Sequence, residues 1–336
     1  LLDLYHRRNT IIFYSFLIKK LVGNELFFSL EPITDETKDI SEIEILSIFI
    51  YSKITPELLD RLPRLKMIVT RSTGYDHIDL DACKKKGIVV TNIPEYGTQT
   101  VAEHTFAMLL ALSRKIIPSV ERTRKSDFNL DGLRGFDLYR KTIGVIGAGN
   151  IGQAVIRIAK GFGMDVIVSS HTQDIELAKR LGFMYVAQEH LFQASDIITF
   201  HVPLTDETKH MLNKKNITSL KKGVVIINTA RGGILETEAL LIGLEQGIIQ
   251  SVGIDVLEEE CHVKEERQLL TAQFLKDCDI KTQLLNHVLL TKENVLVTPH
   301  NAFNSTEALE RILDVTIENI LAFIRQKPIN IVLYEG

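Results

Sequence analysis

The sequence predicts an α/β chain built as two doubly wound, parallel-sheet domains, and three observations predict it. The chain is 336 residues long, more than the about 250–300 residues at which a single hydrophobic core stops growing. Short apolar runs alternate with helical stretches in two successive series, the pattern of parallel strands joined by crossover helices. A GxGxxG motif, Gly147, Gly149 and Gly152, stands directly between an apolar strand and an amphipathic helix.

The first series holds four short apolar runs, at 25–30, 44–50, 65–70 and 87–92, each read as a buried strand. Between them, 55–62 opens with Thr-Pro-Glu and reads as a helix, because proline at the first helical position loses no internal hydrogen bond. Lys84, Lys85 and Lys86 precede Gly87 and mark a helix C-terminus, where cations complement the dipole on a solvated face. Residues 100–114 contain almost no turn formers and read as one long apolar helix, so the domain boundary is placed there. Residues 126–140, rich in Asp, Gly and Arg, read as a loop.

The second series follows in order: strand Thr142–Ile146, helix 151–160, strand 166–169, helix Ile175–Leu181 and strand 196–201. Strand Val224–Asn228, helix 236–246, and strands 251–255 and 295–298 complete it. A final helix at 306–326 is long enough to return to the first domain. There is no internal repeat.

Composition narrows the function classes. Lys plus Arg number 39 against 43 Asp plus Glu, a net charge of -4, with 45% hydrophobic and 24% charged residues. These values exclude a disordered or collagen-like chain and give a nucleic-acid partner no basic surface. The three cysteines, Cys83, Cys261 and Cys278, lack CxxC spacing and cannot all pair, which points to a reducing, cytoplasmic location. The longest apolar stretch, 10–18, is too short to span a bilayer and is followed by Lys19 and Lys20 rather than a cleavage site, so no membrane partner is expected. Apolar pairs at helical spacing over 9–22 read instead as a buried helix. The chain opens on Leu1 rather than Met, which leaves the completeness of its N-terminus open.

In the glycine motif, the first glycine permits a tight turn, the second lets backbone approach a pyrophosphate, and the third allows helix and strand to pack. The helix N-terminus attracts the anion. The residues in place therefore imply a bound dinucleotide. The next strand ends at Ser169, Ser170 and His171, where an NAD site usually carries an acid for the ribose 2'-hydroxyl. Asp165 lies at the wrong end of that strand and Asp174 beyond it, so NAD(H) and NADP(H) both stay open.

Strand Val224–Asn228 runs into Thr229, Ala230, Arg231, Gly232 and Gly233, at the sheet edge where such folds bind ligands. Asp255 ends the following strand and is succeeded by Glu258, Glu259 and Glu260, and His300 follows a further strand end. An Arg, an acid and a His arriving separately at one edge are what hydride transfer at a 2-hydroxy acid requires. The Arg anchors a carboxylate through two parallel hydrogen bonds, the His exchanges the hydroxyl proton, and the acid orients and charges the His.

In this order and spacing, GAGNIG, INTARGG, Asp255 with Glu260, and TPHNAF resemble the D-isomer-specific 2-hydroxyacid dehydrogenases over nearly the whole chain. RSTGYDHIDLDA at 71–82, IPEYGTQTVAEH at 93–104 and HNAFNSTEAL at 300–309 are most similar to the D-lactate dehydrogenase branch. The resemblance implies a Rossmann dinucleotide-binding domain over 101–300 inserted into a flavodoxin-like substrate domain formed by 1–100 and 301–336. It also implies the roles. Arg231 would bind the substrate carboxylate and carbonyl oxygen, His300 would be the acid/base, and Glu260, selected over Glu258 and Glu259 by the family's spacing from the Arg, its partner. Thr73 and Gly74 would offer backbone N–H groups to the carboxylate, with Tyr96 and Phe303 lining the pocket, although plain core packing explains those two rings as well. Asp255 would hold the nicotinamide carboxamide. Gly147, Gly149, Asn150, Ile151, Gly152, Ser170, Val202, Pro203, Thr208, Thr229 and Ala230 would serve the rest of the dinucleotide.

The implied activity is NAD(P)-dependent interconversion of a small 2-oxo acid and its D-2-hydroxy acid, pyruvate and D-lactate leading, in a homodimer. The alternatives are a hydroxypyruvate- or phosphoglycerate-type dehydrogenase, or a nucleotide-sensing protein like the corepressors that resemble this family. Two departures stand out: Ser170 replaces the usual acid, and Cys261 stands where many relatives have proline. A thiol beside the Glu260 charge is expected to be inert rather than a redox switch. Residues 263–290 resemble the longer loop of the lactate branch, of unassigned role. Helix 101–112 suits a dimer contact or burial within one subunit equally well. His77, His104, His171, His201 and His210 show no metal-ligand spacing, so no metal site is expected.

Overall fold

The structure is a computed structural model that describes residues 2–3, 28–29, 32–50, 52–259 and 279–332. The chain divides into two compact units, Leu1–Tyr96 with Ser305–Gly336, and Gly97–Asn304.

The first unit is built on a five-stranded sheet of β1 (Leu2–Asp3), β2 (Phe28–Ser29), β3 (Ile45–Ile48), β4 (Met67–Thr70) and β5 (Val89–Thr91). Its order is β2-β1-β3-β4-β5, every pair parallel, which is the flavodoxin-like arrangement. Helix α1 (Pro56–Asp60) starts as its sequence dictates, with Thr55 accepting from the Leu58 N–H and proline in the first turn. Helix α2 (Leu80–Lys85) is capped by Asp79 and ends in the lysine run, after which Gly87 takes a positive φ of 68°. The core joins Leu46, Ile48, Leu58, Leu59, Ile68 and Val90. The end of the chain completes this unit, with Val332 N–H donating to Val90 O at 2.9 Å beside a bridge between Thr91 and Ile331. The helix expected over 9–22 and most of the strand expected over 25–30 lie outside the described residues.

The second unit carries seven parallel strands: β6 (Thr142–Ile146), β7 (Asp165–Ser169), β8 (Met184–Tyr185), β9 (Ile197–Phe200), β10 (Val224–Asn228), β11 (Ile249–Ile254) and β12 (Val295–Val297). Their order, β12-β11-β10-β9-β6-β7-β8, is the Rossmann order with one added strand, and the chain reverses direction across the sheet between β6 and β9. Central strands are buried along their length, as fits a sheet covered on both faces. One face is packed by α3 (Thr98–Ser113) and α5 (Asn150–Gly161) through Ala102, Phe106, Leu109, Ala154 and Val155. The other carries α7 (Gln188–Ala194) and α8 (Thr237–Glu245) through Leu191, Phe192 and Leu240. Helices α4 (Ile116–Arg124), α6 (Ile175–Leu181) and α9 (Ile280–Leu290) complete the unit. The return helix of the first unit is α10 (Thr306–Ile324).

One expectation needs revision, and one open alternative narrows. The end of the segment 263–290, read as a loop, is helix α9, opened by Asp279, which accepts from the N–H groups of Lys281 and Thr282. Helix α3 buries Val101, Ala102, Phe106, Met108 and Leu109 within its own unit, so the apolar stripe at 101–112 is explained by folding of a single chain.

Candidate active site

Because all seven strands of the second unit run parallel, every functional loop leaves the same sheet edge. At the switch point β6 ends in Gly147, whose φ is +94°. A Cβ there would stand 2.5 Å from His201 O, and one on Gly152 would stand 2.0 Å from Gly147 O. Two backbones thus touch where side chains cannot fit. Gly149 differs: nothing lies within 4 Å of where its Cβ would be, and it opens α5 with no side-chain cap on that helix N-terminus. An uncapped helix start in front of open glycine backbone fits the pyrophosphate of a dinucleotide. Across the switch point, Thr208 Oγ1 donates to Pro203 O at 2.6 Å and folds the loop that carries Val202 and Pro203. His201 Nε2 lies 2.9 Å from Thr199 Oγ1, and burial pushes the ring's pKa down to about 3, so it is neutral.

Strand β7 ends with half-buried Ser169 and Ser170 and exposed His171. Asp174 is engaged in capping α6, accepting from Leu177 N–H at 2.9 Å, and Asp165 begins the strand at its opposite end. Among the described residues no acid stands where an adenosine ribose would be held.

The loop after β10 is shaped by Asn228, fully buried, which folds back to accept from Ala230 N–H at 3.0 Å and to donate to Arg231 O at 2.9 Å. Thr229 Oγ1 lies 2.9 Å from Thr105 Oγ1 on α3. Gly232 sits so close to the next loop that a Cβ would be 1.8 Å from Leu257 O, which packs the Arg231 turn directly against the segment following β11. Arg231 is half-buried, with Nη1 donating to Ala230 O at 2.8 Å.

Asp255 follows β11 and is 1% exposed. Its carboxylate accepts from Thr298 Oγ1, from Asn301 N–H at 3.0 Å and from Ala302 N–H at 2.8 Å. Its backbone oxygen takes the His300 N–H at 2.8 Å. His300, at the turn after β12, has φ +49°, a left-handed backbone that a bulky residue keeps only when its surroundings hold it. The residue expected to serve the carboxamide is therefore also the anchor of the His300 turn.

Of the acidic cluster, Glu258 and Glu259 are committed elsewhere. Glu258 meets His210 Nε2 at 2.5 Å and caps α8 by accepting from Thr237 N–H at 2.8 Å. Glu259 accepts from Asp279 N–H at 2.9 Å, at the start of α9. Glu260 and Cys261 lie outside the described residues. Phe303 is buried, at 8% exposure. In the first unit, the turn after β4 carries Thr73 and Gly74: Thr73 Oγ1 donates to Ile93 O at 2.8 Å and Ser72 Oγ to Gly74 O at 2.6 Å. The half-buried Tyr96 accepts on its backbone oxygen from Arg311 Nε at 2.8 Å. From the sequence, His104 and His210 receive no role beyond lacking metal-ligand spacing, and both hold loops of the site. Their partners lie too far along the chain for a local motif to show them.

Comparison with known proteins agrees with this geometry. Residues 106–302 match the family model for the D-isomer specific 2-hydroxyacid dehydrogenase NAD-binding domain. A D-lactate dehydrogenase of Escherichia coli is 37% identical over 306 residues, 90% of each chain. A glyoxylate reductase of Thermococcus litoralis is 35% identical over 301 residues, 87% of this chain and 84% of the relative. Among solved structures, D-lactate dehydrogenase of Aquifex aeolicus complexed with NAD and lactic acid superposes with a TM-score of 0.85 at 36% identity, covering 100% of this chain and 99% of that one. The chain belongs to the D-isomer specific 2-hydroxyacid dehydrogenases and is an NAD-binding oxidoreductase acting on CH–OH donors. Among the described residues, no helix is long and apolar enough to cross a membrane, and no three His, Cys, Asp or Glu side chains gather as a metal site would need.

Proposed function

We propose that this chain interconverts pyruvate and D-lactate. One observation carries the reading: three adjacent strands, β10, β11 and β12, end in Arg231, Asp255 and the turn of His300, on the edge that also carries the glycine turn. When bound, the nicotinamide supplies or takes the hydride. The residues of the chain do the rest. Arg231 binds the substrate carboxylate and draws the carbonyl oxygen toward its guanidinium, and the Thr73 and Gly74 N–H groups serve the same carboxylate. As charge develops on that oxygen, protonated His300 donates to it, and Arg231 offsets the remaining negative charge. Glu260 orients and charges His300, a role supported by the engagement of Glu258 and Glu259 in holding α8 and α9. Tyr96 and Phe303 set the space for the substrate methyl group, and Asp255 receives the carboxamide.

With no described acid at the end of β7, nothing there repels a 2'-phosphate, so NADPH serves alongside NADH. The homodimer is assigned to exposed apolar side chains of the second unit: Ile116, Ile117 and Val120 on α4, with Phe128 and Leu130 just after it. A cytoplasmic location is part of the same reading, supported by three cysteines that lack CxxC spacing and cannot all pair.

The test is oxidation of both reduced cofactors against pyruvate, glyoxylate and hydroxypyruvate. Pyruvate should give the highest kcat/KM, with NADPH within about tenfold of NADH. A preference for glyoxylate, as in the name of the Thermococcus relative, would move the substrate, and no turnover on any of them would turn the reading toward nucleotide sensing. Light scattering should give a dimer that Phe128→Asp with Leu130→Asp dissociates.

A further inference from the structure

His104 has no part in the chemistry above, yet it lies against the anchor of the His300 turn. Its Nε2 is 3.1 Å from Thr298 Oγ1 and 3.6 Å from Asp255 Oδ1. Proton counting fixes the direction of the first contact. A threonine hydroxyl carries one hydrogen, and an ionised carboxylate carries none. Thr298 meets the Asp255 carboxylate at close range, so its proton points there; the other nearby acceptor, Met108 Sδ at 3.9 Å, is weak and distant. Thr298 Oγ1 is then left as an acceptor toward His104, and His104 Nε2 must bear the hydrogen. The result is a directed chain, His104 Nε2–H to Thr298 Oγ1–H to Asp255.

Both ends of this chain matter. Asp255 is a 1% exposed carboxylate whose remaining partners are the N–H groups of Asn301 and Ala302, the two residues after His300. The His300 N–H is held by the backbone oxygens of Asp255 and Thr298, at 2.8 and 3.0 Å. The bonds that hold the His300 N–H thus run to Asp255 and Thr298, the two residues against which His104 lies. A hydrogen-bond chain that ends on a buried carboxylate strengthens each member and is costly when one is lost. We propose that His104 is a positioning residue: it donates to Thr298, fixes Asp255 as the anchor of the turn, and so aims the His300 ring without touching substrate.

The proposal rests on the reading of His300 as the acid/base, and the test separates the two. His104→Leu fills the space without a donor, whereas His104→Gln keeps a side-chain N–H at similar reach. In turnover of the best oxo acid, His104→Leu should lower kcat about tenfold or more while the NADH dissociation constant moves less than about twofold, and His104→Gln should recover most of the loss. Combined with Thr298→Val, His104→Leu should cost little more than either change alone, because both break one chain. Equal losses in the Leu and Gln variants, or losses that multiply in the double variant, overturn the proposal. If the wild type turns over no oxo acid, the catalytic reading fails by itself. Hydrogen exchange at the Asn301 and Ala302 amides then still decides the network: faster exchange in His104→Leu, restored in His104→Gln, supports it, and unchanged exchange overturns it.

Discussion

The glycine turn after β6 and the His300 turn after β12 leave the same edge of one sheet and are built by opposite means. The first removes side chains so that backbone can touch backbone, with Gly147 against His201 O and Gly152 against Gly147 O. The second adds side chains, and a buried carboxylate gathers a hydroxyl and two N–H groups to hold a strained histidine. The cofactor turn is thus a local object that a glycine spacing specifies. The His300 turn is a long-range object whose anchors come from three segments of the chain.

The sharpest break between the two is His300→Ala. It should cut turnover by about 10²–10⁴ and leave NADH affinity nearly intact, since no part of the glycine turn depends on it; measured by steady-state kinetics beside calorimetric binding, wild-type-like turnover would remove the acid/base assignment. The converse is Gly147→Ala. A side chain at φ +94°, 2.5 Å from a carbonyl oxygen, should weaken NADH binding markedly and cost on the order of 1–3 kcal/mol of stability by thermal melting.

A third experiment uses pH. His201, packed on the glycine turn, is held neutral, its pKa pushed by burial from 6.5 to about 3. The unfolded chain takes up this proton below about pH 6.5 and the folded chain does not until near pH 3, so stability contributed by the neutral ring is full above 6.5 and falls as pH drops through that window. Melting temperatures recorded from pH 7 to 4 should decline more gently in His201→Gln, and an unchanged slope would disprove the linkage.

The smallest effect is expected at the opposite end of the strands. There Asp196 accepts from Thr142 N–H at 2.9 Å and pairs with Lys221 at 2.9 Å. Burial alone would raise its pKa, but the bonds from Lys221 and Thr142 outweigh burial and lower it. This stabilisation is present above the unfolded value of about 4 and lost as pH falls through the lower folded one. With both lysines of the site more than 40% exposed, Asp196→Asn should cost no more than about 1 kcal/mol in urea titrations and leave turnover unchanged.

These contrasts also explain what the sequence discloses. Strands Thr142–Ile146 and Val224–Asn228 and helix Ile175–Leu181 are legible to the residue, because buried parallel strands read as continuous apolar runs and Asp174 marks a helix start. Helix α9 is not legible: Leu284, Val288 and Leu290 are exposed while Asn286 is buried beside Leu289, so its apolar residues are spread around the helix and show no helical period. Helix α7 buries only Leu191 and Phe192, too little for a period to show. Arg231, Asp255 and His300 stand out as chemistry at strand ends. That Asp255 anchors the turn of His300, or that His104 reaches Thr298 across 194 positions, is set by strand order and not by any motif.

The interrupted first unit sets an order of assembly on the ribosome. Its fifth strand, β5, pairs with β4 from residues already made, but its bridge to Ile331 and its bond from the Val332 N–H come only after the whole of Gly97–Asn304 has been synthesised. The contiguous second unit has all seven of its strands in hand well before that point. A chain stopped after Asn304 should therefore yield a protease-resistant nucleotide-binding body preceded by a segment that is still digestible.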